Sequence, residues 1–310
     1  MTSAAAGDGF CFQQIHIDAA RNSTDDFNPF HDPRKCHRIR GNPYPGTIAL
    51  GFQLECLIEH QLSLHRELQG ENDFIAGNAL HFSNYQFTFA NVLLPGEPFR
   101  VEIKPTLRNN EVPGLSNRVV VRKDDATLMI GHQRESARPL YLGECVPGPF
   151  HDLRQAADRE ILPGSNWFLK RKFMNTANAK NFVAGSLCDQ GYYFDELEDR
   201  VNFPHMFPAA LMSCALLEKA LAEGHDFMAD PMVYAAHSIS VDRRLAGSLR
   251  SNDALHLLVQ GPETREGSRG LGRSELPMQL YRCLGLVRER QVMFRAEVLM
   301  APLASILEGR

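Results

Sequence analysis

No disulfide framework is written into this chain. Its seven cysteines (Cys11, Cys36, Cys56, Cys145, Cys188, Cys214 and Cys283) are scattered, odd in number and never spaced C-x-x-C. That argues against a stapled secreted scaffold or a zinc ribbon and points to a reducing compartment. An excess of positive charge is missing as well. With 33 Lys and Arg against 37 Asp and Glu, the net charge of -4 gives no general affinity for nucleic acid or anionic membrane. No run reaches the ~18 consecutive apolar residues of a membrane span. Met1 to Gln14 has no basic stretch followed by an apolar one, so a cytoplasmic protein without a signal peptide is expected. The G-x-S-x-G elbow, H-E-x-x-H, G-x-G-x-x-G and the Walker loop are absent. His60 and His65 do not share a helix face well, and no metal site is expected.

What is present suits a soluble globular chain. At 310 residues, 44% hydrophobic and 23% charged, it can bury one large core or two cores of about half that length. Phe10 to Ile17 suits a short first strand, and Asp18 to Asp25 reads as a short polar segment leading onward. After Pro45-Gly46 comes an apolar stretch in which Leu50, Leu54, Leu57 and Ile58 keep helical spacing while other faces are apolar too, the mark of a buried helix. Strand patterns follow at Ala79 to Phe89, Phe99 to Ile103, Arg118 to Arg122 and Ala126 to His132, the last two forming a hairpin about Lys123-Asp124-Asp125.

The same order then returns. Met206 to Leu221 is a second apolar helix, and Tyr234 to Val241 answers the strand that holds His81. Fourteen residues beyond His81 and beyond His237 comes a turn, Pro95-Gly96-Glu97 in one half and Ser251-Asn252-Asp253 in the other, and a strand follows each. Leu286 through Ala296 mirrors the first hairpin. Between the halves, Pro139, Pro147-Gly148-Pro149 and Pro163-Gly164 bracket a polar, helix-prone patch. The expected organisation is an N-terminal unit over 1–145, a linker over 146–165 and a C-terminal unit over 166–310, as a fused pair of subunits would look.

One stretch carries chemistry. Asp26-Phe27-Asn28-Pro29-Phe30-His31 sets an acid and a base on either side of an Asn-Pro turn, a spacing that lets both side chains converge. These residues match all four named positions of the D-x-N-P-x-H motif, and here the chain resembles the MaoC-like family of (R)-specific enoyl-CoA hydratases and acyl-thioester dehydratases. The resemblance implies an α+β double hotdog: two tandem antiparallel sheets, each wrapped around a buried central helix. It also implies reversible hydration of enoyl thioesters, on CoA or acyl carrier protein, with Asp26 and His31 sharing the proton transfers and no metal or redox cofactor. Asn28 would brace the turn. Gly46 and Thr47, expected to open the buried helix, would offer backbone N–H groups to the thioester oxygen. Many family members carry a serine or similar polar residue about two turns into that helix; here Gln53 or Glu55 would have to serve.

In the second half the best counterpart of the motif is Asp189 to Phe194, with an aspartate retained and a phenylalanine for the histidine, so one working site and one structural half are expected. Arg34, Lys35, Arg38 and Arg40, with His37, form a basic run after the motif that would suit the phosphates of CoA or the acidic face of a carrier protein. Lys170-Arg171-Lys172 and Arg243-Arg244 are further candidates. A fused pair is compatible with a monomer or with a homodimer of such chains. Two other classes stay open at this point: a hotdog thioesterase, and a non-catalytic acyl-thioester binder or scaffold.

Overall fold

The computed structural model of the chain describes residues 9–143, 152–265, 277–288 and 290–308. Alternating and aromatic runs become the strands of a sheet whose centre is Phe82–Phe89 paired antiparallel with Met232–Asp242. Outward from the first of these lie Ala126–Ser136, Gly114–Lys123, Pro98–Ile103 and Phe10–Cys11. Outward from the second lie Gln291–Pro302, Met278–Val287, Ala254–Arg265, Phe168–Phe173 and Glu160–Ile161. The order reads alike in both directions from the central pair, so the internal repeat of the sequence is a repeat of structure. Phe82 to Tyr85 is buried without alternation, and at this end the N–H groups of Leu140 and Tyr141 are donated to the side chains of Asn84 and Ser240.

The two separate sheets expected from the repeat are corrected by this arrangement. Backbone pairing from Ala236 with Thr88 to Asp242 with Phe82 joins them edge to edge into one sheet. Each half thereby loses the free edge it would otherwise present to solvent.

Two long helices, Gly51–Leu68 and Met206–Ala222, are packed against each other and share one hydrophobic core with the inward faces of both halves. The second is almost wholly apolar. The first also buries Gln53, Glu55, Glu59, His60 and Arg66, and each must find a polar partner. Gln53, for example, donates its side-chain amide to the carbonyl of Gly185 at 2.6 Å.

The expected strand over Phe10 to Ile17 holds only for Phe10–Cys11; Gln14–Thr24 is a helix. Ile17, Ala20 and Thr24, three and four positions apart, form its buried stripe. It packs on Thr176–Gly185, its counterpart in the second half, closely enough that a Cβ at Gly185 would lie 2.8 Å from the carbonyl oxygen of His16. In the linker, Pro147-Gly148-Pro149 lies outside the described residues. From 152 to 165 the chain runs through turns and the short strand Glu160–Ile161, not the helical patch expected. Among the described residues no helix is long and apolar enough to cross a membrane.

Candidate active site

The Gln14–Thr24 helix ends at Asp25, whose left-handed backbone (φ 52°) turns the chain into the motif. Two side-chain locks then shape Asp26 to His31. Asp26 Oδ1 accepts the N–H of Asn28 at 3.0 Å, and Asn28 Oδ1 accepts that of Phe30 at 3.1 Å, capping a single 3-10 turn over Pro29–His31. Asp26 and His31 are both buried. His31 Nδ1 lies 2.8 Å from the carbonyl oxygen of Ile48. A carbonyl only accepts, so Nδ1 carries the hydrogen of this bond, and Nε2 is the ring nitrogen left for other partners.

His31 and Asn28 line a cleft of about 100 Å³, with Leu50 and Gly51 at the start of the first long helix, Phe89 on the central strand, and Tyr234 from the other half. Asn28, Phe30, Met232 and Tyr234 also border an adjoining cavity of about 260 Å³ that runs along Leu216, Leu217 and Ala220 of the second long helix. Tyr234 stands at the junction, its hydroxyl 2.8 Å from Ser213 Oγ. Burial, and after it the charge of Asp26, pushes the Tyr234 phenol well above its usual range, so it stays protonated.

Gly46 and Thr47 do not open the helix, which corrects their expected role. The N–H groups of Ile48 and Ala49 are taken by the carbonyls of Phe30 (3.1 Å) and Leu93 (2.8 Å), holding this stretch extended, and the helix begins at Gly51. The Thr47 hydroxyl is buried against the side chain of Gln14. At Gly51 the absence of a side chain matters, because a Cβ would meet the Phe89 ring at 2.8 and 3.0 Å. The N–H groups of Gly51 and Phe52 come first in a helix, where no intrahelical acceptor exists.

Neither Gln53 nor Glu55 is bonded to the motif. Gln53 binds Gly185, and Glu55 binds His237, a partner that sequence reasoning missed. Arg34, Lys35, Arg38 and Arg40 are exposed and none lines the cleft, although the Arg40 N–H donates to the carbonyl of Met228 (2.8 Å), next to Phe227 at the adjoining cavity. The other basic candidates serve the fold. Lys170 lies 3.3 Å from Asp158, Arg171 donates to the carbonyls of Leu153, Arg154 and Ala156, and Lys172 pairs with Asp25. Arg243 approaches Glu135 (3.8 Å) and Arg244 pairs with Asp242 (2.8 Å).

Backbone markers also shift the expected register in the second half. Leu187 repeats the left-handed turn of Asp25, and Asp189 caps Gln190–Tyr193 as Asn28 caps the motif's turn. Cys188 therefore stands where Asp26 does, and Tyr192-Tyr193 where His31 does. The aspartate retained in sequence is a capping residue, not a copy of Asp26.

No family model matches the chain, and no curated protein matches it. Solved structures do. A MaoC domain dehydratase from Chloroflexus aurantiacus superimposes with a TM-score of 0.58 at 10% identity, over 96% of this chain and 93% of that one. A Mycobacterium tuberculosis protein with a double hotdog fold gives 0.56 at 10% identity, over 98% and 97%. A further MaoC-like dehydratase gives 0.53 at 9% identity, over 95% of both. The class is thus fixed at the level of fold: a hotdog architecture shared with MaoC-like dehydratases along nearly the whole chain, in line with the resemblance carried by Asp26, Asn28, Pro29 and His31.

Proposed function

We propose that the protein is a MaoC-like hydro-lyase that adds water reversibly across the double bond of enoyl thioesters. It would be a double hotdog, with a working unit over 1–145, a linker over 146–165 and a second unit over 166–310. The observation that carries this reading is the setting of His31. Its Nδ1 hydrogen is committed to the Ile48 carbonyl, its ring borders an apolar cleft at a helix start, and Asp26 precedes it by one hydrogen-bonded turn. Water held by Asp26 and His31 loses a proton as it attacks the β-carbon, and the α-carbon gains one from the same pair. Such positioned acid–base groups contribute roughly 10²–10⁴-fold. Negative charge developing on the thioester oxygen meets the N–H groups of Gly51 and Phe52 in place of those first expected at Gly46 and Thr47. Asn28 keeps its supporting role through the bond to Phe30.

The adjoining cavity gives an acyl chain a path into the second half along Leu216, Leu217 and Ala220, with Glu223, His225 and Gln279 also on its wall. The basic run over Arg34, Lys35, Arg38 and Arg40 comes near that cavity at Arg40 and would receive the phosphates of CoA or an acidic carrier protein. A hydrolytic reading is less well supported: Glu55, the carboxylate one turn beyond Gly51, is bonded to His237.

The test is ultraviolet enoyl absorbance with crotonyl-CoA and longer enoyl-CoAs. Loss of absorbance with the wild type, reduced by about 10²-fold or more in Asp26→Asn and His31→Ala, is expected. Wild type indistinguishable from buffer at every chain length would end the proposal, and release of free thiol without hydration would replace it with hydrolysis.

A further inference from the structure

A second cavity, about 520 Å³, lies at the start of the second long helix and shares no lining residue with the cleft or its extension. Glu59 and Arg66 of the first long helix, Tyr85 and Glu135 of the sheet, and Tyr193 and His205 of the second half face it. Two carboxylates, Glu59 and Glu135, and two guanidinium groups, Arg66 and Arg243, line it, and a third carboxylate, Glu71, pairs with Arg66 from outside the lining. Arg66 lies 3.1 Å from Glu71 and 3.5 Å from Glu135, and Arg243 lies 3.8 Å from Glu135, so both guanidinium groups are matched by carboxylates. Ser83 and Gln133 add hydrogen bonds to Glu135 at 2.8 and 2.6 Å.

Glu59 is the carboxylate left over. Its Oε1 accepts the N–H of His205 at 2.7 Å and its Oε2 that of Met206 at 2.9 Å. Its nearest side-chain nitrogen, His205 Nδ1 at 3.6 Å, belongs to a ring that burial holds neutral and that is hydrogen-bonded to the Tyr85 hydroxyl at 2.9 Å. A carboxylate has about four lone-pair sites, and two backbone bonds leave the others open. Independently, the hydroxyl of Tyr193, a residue only 5% exposed that lines the same cavity, makes no hydrogen bond. Tyr192 packs edge-on against Tyr193, ring centroids 5.0 Å apart, so aromatic surface adjoins the unpaired carboxylate.

We propose that this cavity binds a small primary ammonium compound, whose N–H groups are donated to the Glu59 carboxylate and the Tyr193 oxygen. An ammonium supplies the missing positive charge, satisfies the orphaned phenol oxygen and is attracted by the aromatic walls. An anion finds the helix N–H donors already occupied by Glu59. The Tyr192-Tyr193 pair, which stands where the first half has His31, then belongs to a binding site of different chemistry.

The experiment is calorimetric titration of the full chain at a pH of about 8, where Glu59 is ionised, with n-butylamine, tetramethylammonium and propionate as probes. Butylamine should bind at one site, and tetramethylammonium, which has no N–H, about tenfold more weakly. Tyr193→Phe should weaken butylamine about tenfold and Glu59→Gln by more, with circular dichroism confirming that each variant folds. Because Tyr193→Phe removes only one hydroxyl oxygen that has no hydrogen-bond partner and keeps the ring, it remains a test if Glu59→Gln fails to fold. No saturable amine binding, binding unchanged in Tyr193→Phe, or a preference for propionate would overturn the proposal. None of these results bears on enoyl hydration, which is assayed separately.

Discussion

His237 Nδ1 lies 3.0 and 3.1 Å from the two carboxylate oxygens of Glu55, and both side chains are fully buried. One comes from the first long helix and the other from the central strand of the second half, so the bond ties the halves together behind the cleft. The His237 ring stacks on Phe52 at 4.6 Å and meets Phe89 and Tyr234 edge-on. Removing one partner leaves the other polar, buried and enclosed by aromatic rings, which costs far more than the bond's net worth. Glu55→Ala or His237→Ala should lower unfolding free energy by roughly 3–5 kcal/mol in denaturant titrations. Glu55→Gln, which keeps an acceptor, should cost less than half of that.

Glycine at position 51 is a requirement of contact and not of backbone angle. A methyl group there must displace the Phe89 ring, which Tyr234 and His237 flank and which borders the cleft. Gly51→Ala is expected to fold normally and to lower kcat/KM for enoyl-CoA about tenfold, equivalent to ~1.4 kcal/mol. At Gly46 nothing lies within 4 Å of a built Cβ, and Gly46→Ala should leave the kinetics unchanged. Equal losses in the two variants would return the thioester oxygen to Gly46 and Thr47.

Much of this architecture was legible because it is periodic. The two long helices and the eight-residue stretch around Tyr85 announce themselves by spacing, and Asp26 to His31 by local turn chemistry. Phe10, Phe12, Ile15 and Ile17 misled: as a short aromatic and β-branched run they suit a strand, but from Gln14 on the buried residues are Ile17, Ala20, Ser23 and Thr24, a helical stripe. The start of the first helix was hidden because Pro45-Gly46 looks like punctuation, whereas the constraint on Gly51 is a ring from a strand far along the chain. Asp189 attracted the alignment by identity, though its carboxylate serves as a cap. Glu55 with His237 and Glu59 with His205 are 182 and 146 residues apart, and nothing local marks either pair.

Glu59 and His205 make opposite contributions to stability as pH changes. Burial, and the nearby charge of Glu135, raise Glu59 from 4.5 to about 7 against the two backbone bonds that favour its ionised form. The folded chain therefore holds a proton that the unfolded chain has lost, and stability falls as pH rises from 4.5 to about 7. Burial lowers His205 from 6.5 to about 3, so there the unfolded chain holds the extra proton and stability falls as pH drops below 6.5. Between 4.5 and 6.5 the two slopes oppose each other. Glu59→Gln removes the first alone. Measured against wild type, the variant should gain relative stability with rising pH, by ~3 kcal/mol in all across the window, from the ~1.4 kcal/mol carried by each pKa unit. A stability difference that is constant over this window would show that Glu59 titrates normally.

If the acyl chain runs along the second long helix, its length preference is set there and not at Asp26 and His31. Ala220 borders the adjoining cavity and is half-buried, with room on its cavity side. A phenylalanine in its place fills volume that only a long chain reaches. Ala220→Phe is expected to leave kcat/KM for crotonyl-CoA within about twofold of wild type and to lower it about tenfold or more for a ten-carbon enoyl-CoA. The split between substrates matters more than either value, because a variant that merely distorted the fold would lose both activities together. Equal retention of both would place the chain elsewhere, along Val92 and Leu93 at the far side of the cleft.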